Sequence, residues 1–598
     1  MRAMKALLLI LLCAAPVRVA IAQAGARENA EAASQGRRDG VITGRVVNDT
    51  GRPVAGAPIL VIRAGVKITS GMQPSTADDE GNFKATGLGP GSYMISTNVP
   101  GYVVPRTDSE SDYHRPGESV TVNLVKGGVV TGRVTDPYGE PMVGVRAQAF
   151  KVRGLEGGQK YLVSLRDENG RLTDDRGVYR LYGLEPGIYV VGVSNDQSGW
   201  YGGAYAGREA MTWYPSSPRA TAAEITVRSG EEITGADIRH REERGHAISG
   251  TVINDAASGS MREGITIMLM SGADRQLVGM TGAYGTKSFA MFGVADGEYE
   301  IVACRMDFRE ADFASSTPRR VVVRGADVSG IDLKITAPAS ISGRVKIESS
   351  TVGAVGAVGG AGKSPCEDRS QAKDHAVIED VLLSAAADDE SGPSIQSIVP
   401  QFRYFGGAVG GAPDEKGEFI LSGLAAGRFR IKADLPDDGW YVRTITQPAP
   451  GAAKKPVDAS RNGIAVKAGE KLSGVEVVIA EGAASLNGHV VPAKEGSKLA
   501  SRLRVHLIPA EVSAADDVLR YAETTVGVDG EFGFKHLAPG KYLLYARQAS
   551  EKEVNSNRSR PLAWDEIERA KLRREAAAAK NEVELKACER VKDHVLRW

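Results

Sequence analysis

The segment HREERGH, residues 240–246, contains the residue types of a zinc hydrolase site. His240 and Glu243 have the H-x-x-E spacing in which an imidazole and a carboxylate bind one Zn²⁺, and His246 follows three residues later. The segment lies on a charged connector between two predicted strands, and the chain contains no H-E-x-x-H or G-x-S-x-G motif. We therefore interpret it as a solvated linker, and we predict no catalytic residue, no metal site and no cofactor.

A second candidate is AVGGAGKS, residues 357–364, which matches a relaxed phosphate-binding loop with Ala357 in place of the first glycine. A working loop of this kind follows a buried strand and opens a helix whose N-terminus holds the phosphate. Here the flanking sequence is rich in Gly and Ala and of low complexity. This context argues against nucleotide binding.

Two acidic stretches, Asp78-Asp79-Glu80 and Asp174-Asp175, contain ligands suitable for calcium, but neither has the EF-hand spacing. Each is followed within two residues by a glycine, where an aspartate commonly caps the backbone of a tight turn. We predict that these acids cap turns.

Aromatic residues are concentrated in GWYGGAYAGREAMTWYP, residues 199–215, and a shorter pair occurs in DDGWYVR. Exposed Trp and Tyr rings can stack on sugar rings or anchor a protein partner. The alternative is that these rings cover an open end of a hydrophobic core. The candidate carbohydrate platform consists of Trp200, Tyr201, Tyr205, Trp213, Tyr214, Trp440 and Tyr441.

These candidates lie within a chain of five long, degenerate repeats. One signature reads ITGRV at 42, VTGRV at 130, ISGTV at 248, ISGRV at 341 and LNGHV at 486. A second reads DDEGNFKATGLGPGSY at 78, with copies at 174, 283, 414 and 529. In the first two repeats, G-x-P-x-x-G follows the first signature. Repeats of this length suit whole domains rather than solenoid units.

The second signature is explained by backbone conformation alone. Asp followed by Gly permits a tight turn, and the next residues alternate between apolar and polar, as in Tyr179 and Leu181. Pro-Gly then forms another turn, and a second alternating strand starts at Tyr189. We therefore predict one β-hairpin in every repeat.

The three motifs [IV]-x-G-x-V, G-x-P-x-x-G and D-x-x-G-x-[FY] with G-L-x-P-G-x-Y resemble those of the carboxypeptidase regulatory-like domain. The resemblance covers most of the chain from residue 41 to about residue 550. It implies an all-β fold of five tandem transthyretin/Ig-like, seven-stranded β-sandwich domains. Such a domain accompanies metallocarboxypeptidases without doing chemistry, and similar domains occur in sugar-binding and bacterial surface proteins.

The N-terminus has the pattern of a secretory signal. Arg2 and Lys5 precede a short apolar run, and small residues around Ala22 provide cleavage sites. No later stretch is apolar for long enough to span a bilayer, so we predict no transmembrane segment in the mature chain. Lys+Arg and Asp+Glu both number 74, which gives no electrostatic reason to expect nucleic acid. The mature chain's Cys304, Cys366 and Cys588 do not indicate a disulfide framework.

The C-terminal region departs from the repeats. The segment from residue 562 is rich in strong helix formers, and strand-like alternation returns after it. We predict a helical insertion before the last strand rather than a helix that binds a partner. The predicted organisation is a signal peptide (1–24), a flexible linker (25–40) and β-sandwiches at 41–126, 127–244 (with the aromatic loop), 245–338, 339–483 (insertion about 349–400) and 484–598 (helix about 563–580).

We expect a non-enzymatic, exported binding or scaffold protein of the cell envelope, located in the periplasm or at the cell surface. The predicted partner is a polysaccharide or a cell-envelope protein. One alternative is a structural stalk or adhesin-like spacer without a small ligand. Another is an accessory subunit of a peptidase or transport system. Short connectors such as KGG at 126 predict an elongated rod that is not freely jointed.

Overall fold

A computed structural model describes residues 40–65, 72–105, 113–154, 160–164, 171–194, 209–254, 265–272, 277–283, 287–307, 312–348, 377–388, 410–449, 455–493, 499–500, 502–527, 529–550 and 561–598. Nearly all of its regular structure is β-strand, arranged as sheets that pack around several hydrophobic cores. The repeats are numbered one to five in chain order.

Repeat one contains two sheets. Their strands are β1 (Gly40–Asn48), β2 (Pro58–Arg63), β3 (Met72–Thr76), β4 (Asn82–Leu88), β5 (Tyr93–Thr97), β6 (Tyr102–Val103) and β7 (Ser119–Lys126). One sheet has the order β4-β1-β7-β6 and the other β3-β2-β5. Their inner faces enclose a core that includes Ile42, Val61, Phe83 and Leu124.

Repeat two adds short strands to the same plan. Its strands are β8 (Gly128–Thr135), β9 (Arg146–Gly154), β10 (Lys160–Ser164), β11 (Arg171–Leu172), β12 (Val178–Leu184), β13 (Gly187–Ser194), β14 (Thr212–Trp213), β15 (Ile225–Val227), β16 (Glu232–Ile233) and β17 (Ile238–Arg239). The first sheet has the order β12-β8-β16, with β17 also on β8. The second has the order β10-β9-β13-β14, with β11 on β9 and β15 on β13.

Repeat three forms one continuous sheet that curls around its core. Its strands are β18 (His246–Asn254), β19 (Ile265–Ser271), β20 (Leu277–Ala283), β21 (Ser288–Val294), β22 (Gly297–Asp307), β23 (Asp312–Ser316), β24 (Arg319–Val323) and β25 (Val328–Thr336). Their order is β20-β19-β22-β23-β25-β18-β21, with β24 on β22. The two layers join because β23 pairs with both β22 and β25.

Repeat four again has two sheets. Its strands are β26 (Ala339–Glu348), β27 (Leu382–Ala387), β28 (Gly410–Gly411), β29 (Glu418–Leu424), β30 (Gly427–Asp434), β31 (Trp440–Gln447), β32 (Val457–Asp458), β33 (Ile464–Val466) and β34 (Lys471–Glu481). The sheet orders are β29-β26-β34-β31-β32 and β28-β27-β30-β33. A short helix, α1 (Ala459–Asn462), follows β32.

Repeat five closes the chain with β35 (Ala484–Val491), β36 (Leu503–Pro509), β37 (Ala522–Thr525), β38 (Glu531–Leu537), β39 (Gly540–Gln548), β40 (Glu582–Leu585) and β41 (Arg590–Arg597). Its sheet orders are β38-β35-β41 and β37-β36-β39-β40. Helix α2 (Glu566–Ala579) packs on the second sheet through Leu572 and Ala576, which contact Ile508 and Leu543. The predicted helix near the C-terminus is therefore confirmed, but two strands, β40 and β41, follow it where the sequence predicted one.

One strand arrangement recurs in every repeat. The first strand pairs in antiparallel fashion with the first strand of the second signature and in parallel fashion with the last strand of the same repeat. In repeat one, for example, Gly44 lies opposite Phe83 on β4 and opposite Val120 on β7. A short turn separates the two strands of the second signature in all five repeats, but these strands do not pair with each other: in repeat one β4 pairs with β1 and β5 with β2. The predicted β-hairpin is therefore wrong, because the alternation specifies a strand and its buried face but not the strand that pairs with it. The all-β fold class of tandem β-sandwiches is confirmed.

The glycine of the first signature is required by close packing of the backbone. A Cβ atom on Gly250 would lie 1.8 Å from the carbonyl oxygen of Ile331, and one on Gly343 would lie 1.8 Å from that of Val475. Both carbonyls belong to the parallel last strand, whose register with the first strand shifts at this glycine. The approach is too close for any side chain, so the signature marks a bulge between parallel strands.

The described residues contain no helix long and apolar enough to cross a membrane. Cys304 is a buried free thiol, and burial raises its pKa, which makes it unreactive. Cys588 is disulfide-bonded. The number of domains and the predicted domain bounds stay predictions.

Candidate functional site

Trp213, one of the seven candidate platform residues, is buried. It lies in β14, where it is opposite Gly192 of β13. Its indole is 7% exposed and packs against Phe150, with 5.0 Å between ring centroids. Val190 completes this small cluster on the outer face of the second sheet. In this conformation the ring covers its own sheet.

Tyr214 is half-buried and packs against the main core of repeat two. Its backbone N–H donates to the carbonyl of Val191 over 2.9 Å, and its peptide bond to Pro215 is cis. Trp200, Tyr201 and Tyr205 lie outside the described residues. The two described members of this stretch thus anchor its C-terminal end to the sandwich, and the platform itself stays a prediction.

Trp440 and Tyr441 begin β31 in repeat four. Trp440 is 7% exposed, and its carbonyl accepts a hydrogen bond from Nδ1 of His536 in repeat five over 3.0 Å. Tyr441 is half-buried, and this burial raises its pKa. Because β31 pairs with the last strand of repeat four whereas β14 pairs with β13 of repeat two, the two aromatic pairs do not occupy corresponding places in their repeats.

The residues of the H-x-x-E segment are not brought together. His240 is 1% exposed, and its Nδ1 accepts the backbone N–H of Glu242 over 3.2 Å. Its Nε2 faces Glu209, 3.7 Å from Oε2. The prediction of a solvated linker is therefore wrong for His240, because its ring fills a pocket beside the strand that contains Trp213.

Glu243 and His246 face other partners. Glu243 pairs with Arg241 over 3.1 Å, and His246 lies 3.2 Å from Asp296 of repeat three. Within the described ranges, no group of three or more His, Cys, Asp or Glu side chains could hold a metal ion. The phosphate-loop candidate at 357–364 lies outside those ranges. The geometry of the HREERGH segment therefore does not correspond to a zinc site.

The first acid of each of the two acidic stretches caps its turn, as predicted. Oδ1 of Asp174 accepts the backbone N–H of Val178 over 2.7 Å and that of Arg176 over 3.0 Å. These hydrogen bonds lower the pKa of Asp174, because they favour the ionised carboxylate. Asp78 and Asp414 bind the corresponding amides of Asn82 and Glu418 in the same way. Their carboxylate oxygens are directed at their own backbone.

The tyrosine that ends the second signature forms a hydrogen bond across the turn between the two signature strands. Its hydroxyl donates to the carbonyl four residues earlier, over distances between 2.6 and 2.8 Å. This contact joins Tyr93 to Gly89, Tyr189 to Glu185, Tyr299 to Ala295 and Tyr542 to Ala538. Repeat four has Phe429 at this position and lacks the hydroxyl. The arrangement is a tyrosine corner of the kind found in β-sandwiches. The tyrosine is visible in the sequence pattern, but its hydrogen bond is not.

The sequence analysis also missed a polar cluster between repeats four and five. Arg430 is 5% exposed, and its Nε lies 3.1 Å from Oδ1 of Asp388. The same guanidinium donates to the carbonyls of Ser460 and Trp564, and it stacks over the Trp564 ring at 5.2 Å. Arg569 and Arg461 both pair with Asp516 at the edge of this cluster. The contact between Arg430 and Trp564 joins positions 134 residues apart.

A second cluster joins repeats that are not neighbours in the chain. The carboxylate of Asp380, in repeat four, accepts the backbone N–H of Gly91, in repeat one. The hydroxyl of Ser92 donates to the backbone carbonyl of Asp380. A linear rod would keep these repeats apart, so this contact differs from the predicted elongated arrangement.

Comparisons with known proteins place the N-terminal repeat in a family. The sequence profile of the carboxypeptidase regulatory-like domain matches residues 41–125. None of the curated protein sequences matches this chain.

Solved structures with detectable similarity include the TIE protein of Bacillus anthracis and two pilins. The Bacillus anthracis TIE protein is 14% identical, over 50% of this chain and 51% of its own, with a TM-score of 0.13. GBS52, the minor pilin of Streptococcus agalactiae, is 16% identical over 33% of this chain and 93% of its own, with a TM-score of 0.18. BcpA, the major pilin subunit of Bacillus cereus, is 10% identical over 50% and 99%, with a TM-score of 0.12.

TM-scores this low carry no argument about arrangement or function, so the family assignment depends on the sequence profile and on the topology. The profile covers the first repeat, and the pairing of the first strand with the strand that opens the second signature recurs in the later ones. The chain therefore resembles tandem carboxypeptidase regulatory-like domains, by profile in residues 41–125 and by strand pairing in the four repeats that follow.

Proposed function

We propose that this chain is an exported, non-catalytic scaffold of the cell envelope that presents the aromatic loop of repeat two to a polysaccharide. The observation that carries the scaffold role is the use made of the signature residues. Their carboxylates cap turns, their tyrosines donate hydrogen bonds across turns and their glycines permit close strand packing. Groups bound to their own backbone in this way are not available to a substrate.

The docking of repeats supports the same proposal. Arg430 is buried, pairs with Asp388 and contacts the backbone of repeat five, so it holds repeats four and five in one orientation. A buried arginine that faces a carboxylate and donates to two backbone carbonyls rigidifies a contact, because the donors of its planar guanidinium have fixed directions. A chain built in this way supplies a firm mount for a binding loop.

The ligand part of the proposal depends on three aromatic residues. Trp200, Tyr201 and Tyr205 precede Trp213 and Tyr214 in the sequence, and the last two are anchored to the sandwich. Rings of this type bind sugars by stacking on their apolar faces. Because Trp213 and Trp440 are buried, the first three residues are the ones to test.

The test incubates the purified full chain with a panel of insoluble polysaccharides and peptidoglycan. Beside it runs the variant Trp200→Ala/Tyr201→Ala/Tyr205→Ala, and Tyr138→Ala serves as the matched control because Tyr138 is 88% exposed on another turn of repeat two. We expect binding by the wild type and by Tyr138→Ala, and loss of binding by the triple variant. Absence of binding by all three proteins would eliminate the polysaccharide.

The spacer is the second candidate function, and the burial of Trp213 and Trp440 favours it. Both rings serve the fold where they lie, which is the arrangement expected if the aromatics cover sheet surfaces. A spacer would leave the whole panel unbound while the chain remains folded. Circular dichroism of the same preparations distinguishes that result from a misfolded protein.

A further inference from the structure

Repeat four differs from repeats one and two at the segment that enters its second sheet. Repeats one and two have the G-x-P-x-x-G turn before this sheet, whereas repeat four has a 3₁₀ helix, Ile378–Asp380, directly before β27. Asp380 is 5% exposed although it is an acid at the surface of its own sandwich. A buried carboxylate needs partners that compensate for the loss of water, and here one of them comes from another repeat.

The carboxylate and the backbone carbonyl of Asp380 both contact the turn between β4 and β5 of repeat one. The N–H of Gly91 donates to Oδ1 over 2.7 Å, and the hydroxyl of Ser92 donates to the backbone carbonyl over 2.7 Å. Oδ2 accepts the N–H of Val377 over 2.9 Å, which fixes the carboxylate in this direction. The contact connects positions 289 residues apart.

The charge around Asp380 is complementary. Burial raises its pKa, while the positive charges of Arg115 and Arg63, both in repeat one, act in the opposite direction. The carboxylate thus lies at a surface of repeat one that carries two guanidinium groups. Electrostatic complementarity of this kind orients one docking partner on another.

The turn of repeat one is shaped to admit this partner. Gly91 has φ +142°, and a Cβ atom there would lie 2.5 Å from Nε of Arg63. A side chain at position 91 would displace the arginine from the docking surface. A second contact lies nearby, where the N–H of Ala412 donates to the carbonyl of Gly65 over 3.3 Å.

We propose that Asp380 is the central contact of an intramolecular clasp that docks repeat one on repeat four, and that removing its carboxylate releases the clasp. The clasp depends on few groups. A neutral hydrogen bond shifts an equilibrium by roughly two- to tenfold, and one to a charged group by roughly ten- to hundredfold. Contacts of this strength permit two populated states, a closed chain and an extended one. The proposal is independent of the ligand of repeat two.

The experiment combines small-angle X-ray scattering with hydrogen exchange on the full chain. Asp380→Ala is the test variant. Asp414→Ala is the matched control, because Asp414 is also an aspartate of repeat four but caps Lys416 and Glu418 within its own turn. Gly91→Ala tests the clasp from the side of repeat one.

We expect the wild type and Asp414→Ala to share one maximum dimension, and Asp380→Ala and Gly91→Ala to show a larger one. The peptide spanning residues 88–94 should exchange roughly ten- to hundredfold faster in Asp380→Ala, because the Gly91 N–H loses its charged acceptor. An unchanged maximum dimension in both test variants would overturn the clasp. So would equally fast exchange of this peptide in the wild type and in Asp380→Ala.

Discussion

The hydroxyl of Tyr189 donates a hydrogen bond of 2.7 Å to the carbonyl of Glu185, four residues earlier, across the Pro-Gly turn of repeat two. Three other repeats have the same contact, and repeat four lacks the hydroxyl because Phe429 takes the position. The contact gives the terminal tyrosine of the signature a physical role. In repeat two it fixes the turn between β12 and β13.

Tyr189→Phe should therefore lower the free energy of unfolding of repeat two by about 1 kcal/mol, the usual contribution of one hydrogen bond. Hydrogen exchange in increasing urea, followed for peptides of repeat two, measures this difference. Phe429→Tyr is the matched variant in repeat four and should not destabilise it. Equal stability of Tyr189→Phe and the wild type would show that the hydrogen bond of the hydroxyl does not stabilise the turn.

Gly250→Ala should destabilise repeat three by about 3 kcal/mol or more, because its Cβ would lie 1.8 Å from a backbone carbonyl that cannot move without breaking the parallel pair. Gly279→Ala, in the same repeat, is the control, since its nearest neighbour is the flexible end of Met291 at 3.0 Å. The same exchange experiment compares the two. If Gly279→Ala proved the more damaging, the proposed role of the signature glycine would be incorrect.

The pKa of Asp174 is lowered because Val178 and Arg176 donate backbone hydrogen bonds to its ionised form. The sign follows from linkage: a lowered folded-state pKa gives a stabilisation that is present above 3.8, the ordinary value, and is lost as the pH falls through the lower folded value. The amide resonance of Val178, observed after ¹⁵N-valine labelling, should titrate below pH 3.8. Asp174→Asn identifies this resonance and should remove its titration. A midpoint above 3.8 would contradict the capping role.

Trp213→Ala should destabilise repeat two by about 3–5 kcal/mol, because it removes a buried ring that packs on Phe150. Thermal unfolding monitored by tryptophan fluorescence and circular dichroism is the measurement. Tyr138→Ala, which removes an exposed ring of the same repeat, should leave the transition within about 0.5 kcal/mol of the wild type. If the Trp213→Ala protein had unchanged stability, the ring would not be needed for the fold, and Trp213 would again be a candidate for ligand binding.

Arg430→Met should cost about 3–5 kcal/mol, since Asp388 would lose the cation that it faces in a buried site. Arg443→Met is the control in the same repeat, because its pair with Glu348 is exposed and should contribute less than about 1 kcal/mol. Urea unfolding followed by hydrogen exchange in repeats four and five gives both values. Equal effects of the two substitutions would show that Arg430 does not hold these repeats together.

Most of the fold could be predicted from the sequence because its signals are local. An Asp followed by Gly specifies a capped turn within five residues, as the contacts of Asp174 show, and alternation after it specifies a strand with one buried face. The helix at Glu566–Ala579 was also predictable, since helix propensity acts over neighbouring residues. The glycine of the first signature was identified as a marker, but the carbonyl that it admits comes from a strand much later in each repeat.

The sequence by itself thus determined the repeats, their turns and the all-β class, since each depends on residues close together in the chain. Only the tertiary structure decided that His240 and Trp213 are buried, that Tyr189 closes its turn, and that Asp380 belongs to a contact with repeat one. Such contacts have no signature, because burial and pairing are set by whatever the folded chain brings near. An aspartate that caps a turn and one that docks another repeat are the same residue type until folding places a backbone amide 289 positions away within reach of one of them.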